Sequence, residues 1–177
     1  MRRTALITII SAVLLSCCPV FAQDRSAGLN LSCNELAAAI HLPLDDEGIL
    51  CVSANLDLTC VLSGKELFPG VSADIVYLYV FADRRFDSGE SMRFYAGPGF
   101  STGYVRNMDG EYGAMAAMTG CVGFEYLFNV PFSISLTLEP ALGIHFHQDE
   151  YGGVGMDFHM PGLIASLFPH LGIRYRF

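Results

Sequence analysis

PFSISLTLEPALGIHFH, residues 131–147, alternates from end to end. One parity reads Phe132, Ile134, Leu136, Leu138, Pro140, Leu142, Ile144 and Phe146, and the other reads Ser133, Ser135, Thr137, Glu139, Ala141, Gly143, His145 and His147. Successive side chains of a strand point to opposite faces. The segment therefore predicts one long strand with a greasy face and a face of small or polar residues. It is longer than the about 9–11 residues that a tilted strand needs to cross a bilayer.

The same split recurs along the chain. In 92–105, Met92, Phe94, Ala96, Pro98, Phe100 and Tyr104 oppose Arg93, Tyr95, Gly97, Gly99, Ser101 and Gly103. In 112–128, Tyr112, Met118, Val122, Phe124, Tyr126 and Phe128 oppose Thr119, Cys121, Gly123 and Glu125. In 49–62, Leu50, Val52, Leu56, Leu58 and Leu62 oppose Ser53, Asn55, Asp57 and Thr59. In 163–177, Leu163, Leu167, Leu171, Ile173, Tyr175 and Phe177 oppose Ser166, His170, Gly172, Arg174 and Arg176. A soluble barrel keeps its bulk inside. Here Gly, Ser and Thr gather on one face while Phe, Leu and Tyr gather on the other, which suits a narrow lumen and an apolar exterior. A sandwich would carry its charges outside, but Arg93, Glu125, Glu139 and Arg174 stand among the small residues.

The expected fold is all-β, an eight-stranded antiparallel transmembrane β-barrel. Its strands fall at about 26–33, 35–42, 48–62, 71–83, 92–106, 112–128, 131–147 and 163–177. An even number puts both ends on the periplasmic side. Short periplasmic connections then fall at 43–47, 84–90 and 129–130, and the longest external loop is 148–162.

Arg2 and Arg3 precede an apolar stretch, ALITIISAVLL (5–15), with Pro19 and then Ala22 before Gln23. That is the anatomy of a secretory signal peptide over 1–22, leaving 23–177 as an outer-membrane barrel domain. Leu14-Leu15-Ser16-Cys17 is also a loose match to a lipoprotein cleavage box, with Cys17 as the lipidated residue. Without Arg2 and Arg3, eight bases face 18 acids, a net charge of about −10. This excludes a nucleic-acid partner, which needs a basic footprint. The chain is 52% hydrophobic and only 16% charged. Past the signal there is no apolar run of about 18–20 residues that would span as a helix. Cys33, Cys51, Cys60 and Cys121 match no metal spacing, and Cys51 and Cys121 fall inward on strands far apart, so free thiols are expected.

LGIRYRF, residues 171–177, resembles the C-terminal signature of bacterial outer-membrane barrels, with Leu171, Ile173, Tyr175 and Phe177 at the apolar positions. The resemblance implies that the barrel-assembly machinery reads this strand. The body resembles the small eight-stranded outer-membrane proteins of Gram-negative bacteria, the group that includes the transmembrane domain of outer membrane protein A. FYAGPGFSTGYV and GFEYLFNVPFSISL resemble paired late strands of that group. The resemblance implies outer-membrane lipid as the surroundings, no cofactor, and a structural or surface-interaction role without enzymatic activity. No peptidoglycan-binding segment follows the barrel strands in this sequence.

Chemistry is confined to the inward parity. Arg93 and Glu125 face each other across a hairpin turning near 109, and with Glu139, Arg174 and Arg176 they form the expected lumen charge cluster. It reads as a plug of paired charges rather than a gated pore, because eight strands leave a lumen that side chains fill. His145 and His147, with Asp149, Glu150, Asp157 and His159, carry metal-ligand residue types. The reading favoured for them is a wet, acidic barrel mouth without metal. A small lipid-modifying enzyme would need a nucleophile, base and orienter reaching the lipid-facing wall. His41, His145, His147 and His170 all fall inward instead. A narrow passive channel is the other alternative, and no external ligand is identified.

Overall fold

The structure, a computed structural model, describes residues 25–58, 69–106, 111–148, 153–159 and 168–177. The signal-peptide reading of 1–22, Cys60, Asp149, Glu150 and the segment 163–167 of the expected last strand lie outside these residues. In chain order the described strands are β1 (Ser26–Leu31), β2 (Glu35–Pro43), β3 (Gly48–Asp57), β4 (Gly70–Arg85), β5 (Ser91–Arg106), β6 (Tyr112–Leu127), β7 (Phe132–Leu138), β8 (Ala141–Gln148), β9 (Val154–Phe158) and β10 (His170–Arg176).

Each strand from β1 to β6 pairs antiparallel with the next, and β10 pairs with both β7 and β1 to close the sheet. β7 and β8 share one register on β6: Val122 faces Leu138, and Thr119 faces Ala141. They are therefore one stave, interrupted at Glu139-Pro140. Pro140 has no N–H to give to a ladder, yet its carbonyl still accepts from Gly120 N–H at 2.9 Å. β9 pairs with β8 while β10 pairs with β7, so those two share the eighth position. The result is a closed, eight-stranded antiparallel barrel.

The expected strands are present, with differences at some of their ends, the break at Glu139-Pro140 and one added strand. Val154–Phe158, read from sequence as part of a long loop, is the strand β9. Its alternation of Val154, Met156 and Phe158 outward is enough to extend the ladder of β8, and Gly155 leaves room for the His147 ring. The last described strand begins at His170, with Phe168 and Pro169 outside it.

The alternation becomes the two surfaces of the wall. Leu29, Ile40, Val52, Ile75, Phe100, Met118, Leu136, Ile144 and Ile173 are exposed on the outside. Ala37, Ser53, Asp74, Ser101, Glu125, Ser133, Ser135 and Arg174 are buried inside. The β4–β5 register shifts between Val80 and Ala82, near the terminus end of the barrel, the end that holds residues 25 and 177.

β4 and β5 approach so closely that Gly97 is required. A Cβ there would overlap the Tyr77 carbonyl oxygen. Gly120, on the outer face opposite Pro98, has nothing nearer than 3.8 Å to a Cβ. Gly97→Ala is therefore expected to destabilise the folded barrel by about 1–3 kcal/mol, the usual cost of overpacking. Gly120→Ala is expected to be neutral within about 0.5 kcal/mol, as surface substitutions are. Denaturant unfolding of the two variants side by side in detergent checks both; equal effects would refute the close-approach account.

Candidate functional site

The barrel interior is built in three levels. At the terminus end lies a polar cavity of about 500 Å³ whose lining includes Asp45, Glu47, Asp83, Arg85, Arg93 and Arg176. At the far end lies a cavity of about 90 Å³ lined by Glu35, Asn55, Asp57, Asp74, Glu139 and His159 among others. Between them the lumen is packed. Leu78, Tyr95 and Arg174 are each at most 2% exposed there, and the remaining space is about 10 Å³.

Arg174 is the centre of the packed level. β10 places it opposite Gly28 of β1 on one side and Ser133 of β7 on the other. Those small neighbours leave space for a guanidinium: a Cβ on Gly28 would overlap the Ile173 carbonyl and crowd the Arg174 side chain. Arg174 Nη1 lies 3.6 Å from Glu125 Oε1, and Nη2 donates to Asn30 Oδ1 at 3.1 Å. Ser133 Oγ donates to the same Glu125 oxygen at 2.5 Å. A charge taken out of water needs this kind of pairing and hydrogen bonding.

Of the five residues expected to form the charge cluster, Arg174 and Glu125 form the ion pair, Glu139 lines the small central cavity with Arg174, and Arg93 and Arg176 line the terminus-end cavity with Glu125. Arg93 does face Glu125 in the β5–β6 register, but its ion pair is with Asp83, the residue opposite it on β4, at 3.8 Å. Its long stem swings toward the wet mouth, where the guanidinium keeps its hydration. Arg176, on the wall of the terminus-end cavity, donates from Nη2 to the Phe128 and Val130 carbonyls at 2.7 and 2.8 Å, which ties it to the β6–β7 turn. Glu139 accepts from Thr137 Oγ1 at 2.9 Å and borders the far-end cavity.

No family model matches this chain, and no curated protein or solved structure matches it. The second polar group is a network that sequence reasoning did not single out. Asp74 accepts from Asn55 Nδ2 and from Ser53 Oγ, and Asn55 also donates to Ser72 Oγ at 3.2 Å. The signal was present: Asp74 is the one acid in the run SADIVYLYV, on the same parity as Val76 and Leu78.

The histidines gather at the far end, apart from His41. His145 is fully buried, with Nε2 at 3.0 Å from the Val105 carbonyl. Its ring stacks between His147 at 5.9 Å and His159 at 6.4 Å. His147 lies 3.0 Å from Glu111 and 3.3 Å from Asp157. Among the described residues, no three of His, Cys, Asp and Glu are placed to hold one metal ion. Cys33, Cys51 and Cys121 are free thiols. Although β3 and β6 are not neighbours, Cys51 and Cys121 line the same small central cavity, because the lumen is narrow. The four signature residues Leu171, Ile173, Tyr175 and Phe177 all stand on the outer face, 48–64% exposed.

Proposed function

We propose that this protein is an integral outer-membrane barrel with a structural or surface-interaction role, non-enzymatic, its lumen closed by the Arg174 level. The observation that carries the reading is the wall's outer surface. Leu31, Ile40, Leu56, Val71, Phe100, Val122, Leu142 and Leu171, from all eight staves, are exposed. Monomeric soluble proteins rarely expose apolar patches beyond a few hundred Å², and here the patch encircles the molecule. Lipid is the solvent that suits it.

Aromatic residues border this band, as interfacial girdles do. At the terminus end Phe81, Phe94 and Phe124 run in sequence at 6.5 and 6.0 Å, and Phe132 meets Tyr175 edge-on at 5.3 Å. At the far end Tyr104 stacks on Tyr112 at 5.9 Å. The Tyr126 ring lies on the wall while its hydroxyl reaches the β4–β5 turn to donate to Glu90 at 2.7 Å. That bond, with a second from Ser88, holds the Glu90 carboxyl below the usual carboxylate range. An apolar ring with a wet tip is what a membrane interface selects. Under this reading the terminus end faces the periplasm and the far end faces outward.

The expected result in cells is recovery in the outer-membrane fraction, with unheated and boiled samples migrating differently in detergent gels. Release as a soluble periplasmic monomer would rule the reading out. Reconstituted in planar bilayers, the barrel is expected to show no stable conductance steps. Large regular openings would replace the closed lumen with the channel alternative.

A further inference from the structure

We infer that the terminus-end cavity binds a short peptide with free ends, its ammonium held at one corner and its carboxylate at another. The cavity is about 500 Å³, within the about 300–1,000 Å³ of ordinary ligand sites. Its wall separates the two signs of charge. The turn between β2 and β3 contributes Asp45, Asp46 and Glu47. Asp45 Oδ1 accepts from the Glu47 and Gly48 N–H groups, and Glu47 accepts from the Tyr79 hydroxyl. Among the described residues none of the three acids has a cationic partner. The other corner is basic. Asp83 is shared by Arg93 at 3.8 Å and Arg85 at 4.0 Å, so one carboxylate faces two guanidiniums. Glu125, beside Arg93 on β6, is already matched by Arg174.

Two buried side chains point to an occupant independently of these charges. Ser26 is 5% exposed and His41 is 3% exposed, and they face each other across the β1–β2 ladder. Both line the cavity, and neither has a hydrogen-bond partner among the described residues. Their polar atoms are not sealed inside the wall, so their hydrogen bonds are open to whatever fills the space. A hydroxyl and a neutral imidazole each offer one donor and at least one acceptor. A peptide unit, with one N–H and one C=O, is the complement of both.

The ligand class follows from the spacing of the corners. The acidic turn adjoins β3, and Arg93 stands on β5, two strand spacings away, about 9–10 Å along the wall. A free amino acid carries its ammonium and carboxylate on one carbon and cannot reach both. An extended tripeptide holds them about 10 Å apart and has peptide units left for Ser26 and His41. Its carboxylate meets the planar fork of Arg93, and its ammonium meets Asp46 and the second oxygen of Asp45. Charge-assisted bonds of these two kinds are the strong ones.

The test titrates trialanine into the folded barrel in detergent micelles, followed by calorimetry or by amide shifts in NMR. Saturable binding is expected, with N-acetyl-trialanine and trialanine amide each at least tenfold weaker at matched ionic strength. Arg93→Met and Asp46→Asn are each expected to weaken trialanine at least tenfold. Both side chains sit at the mouth, Arg93 a quarter exposed and Asp46 exposed, so both variants fold. In Arg93→Met the remaining binding should no longer respond to amidation but should still respond to acetylation. Gln148→Ala, exposed at the far end of β8, is expected to leave binding unchanged. Equal binding of the blocked and free peptides would make the cavity indifferent to both charges and overturn the proposal. A loss on blocking only one end would reduce it to a site for a single charge and overturn it equally, as would absence of saturable trialanine binding.

Discussion

Replacing Arg174 by Met is expected to destabilise the folded barrel by about 3–5 kcal/mol, the cost of stranding one partner of a buried charge pair. Glu125, 3% exposed, would lose its guanidinium and keep the Ser133 hydroxyl. Asn30 Oδ1 would lose its donor as well. Denaturant unfolding in detergent measures the loss. The double variant Arg174→Met with Glu125→Met should recover most of it, because a buried pair replaced by apolar side chains of similar volume is often neutral. Arg93→Met provides the contrast. Its guanidinium sits at the mouth, a quarter exposed and 3.8 Å from Asp83, so its loss should cost less than about 1 kcal/mol. If Arg93→Met costs as much as Arg174→Met, or if the double-mutant cycle of Arg174 and Glu125 shows no coupling, the pair is not what closes the lumen.

Phe177→Ser is expected to lower the yield of inserted barrel in cells severalfold while leaving the unfolding of refolded protein within about 0.5 kcal/mol, as for other surface substitutions. The two effects separate because the ring and the backbone of this residue have different tasks. The Phe177 side chain is 64% exposed on the outer face, so little packing is lost with it. Its N–H donates to the Arg25 carbonyl at 2.9 Å, which the substitution leaves intact. What Ser removes is the aromatic of the LGIRYRF signature, which stands in line with Tyr175, Ile173 and Leu171. The proposal is that the assembly machinery reads this line before the sheet closes. Parallel losses of yield and of stability would make Phe177 a packing residue. No change in either would remove the support that the signature lends to an outer-membrane address.

Alternation by itself settled a great deal. A side chain's face depends only on the parity of its position along a strand. From that, Ser133, Ser135, Thr137, His145 and Arg174 were legible as interior, and Ile134, Leu136, Ile144 and Ile173 as exterior, with no knowledge of which strand meets which. The Arg93–Glu125 rung was legible too, because a hairpin turn fixes the register of its two strands.

What parity cannot say is which inward charges meet. Arg174 bonds to Asn30, 144 positions away in sequence, and pairs with Glu125 on a stave that is not its neighbour. Such contacts depend on closure, on the stagger of staves around the ring and on how far a long side chain reaches across a narrow lumen. Tertiary structure therefore sent Arg93 to Asp83 and Arg176 to the turn carbonyls at 128 and 130. It also gathered Glu35, Asp57, Asp74 and Glu139 from four staves into one chamber. The sequence determined the two faces of every strand because each face is a local property of the chain. Only the closed barrel decided the partners, because every partner lies across a lumen that does not exist until the last strand has met the first.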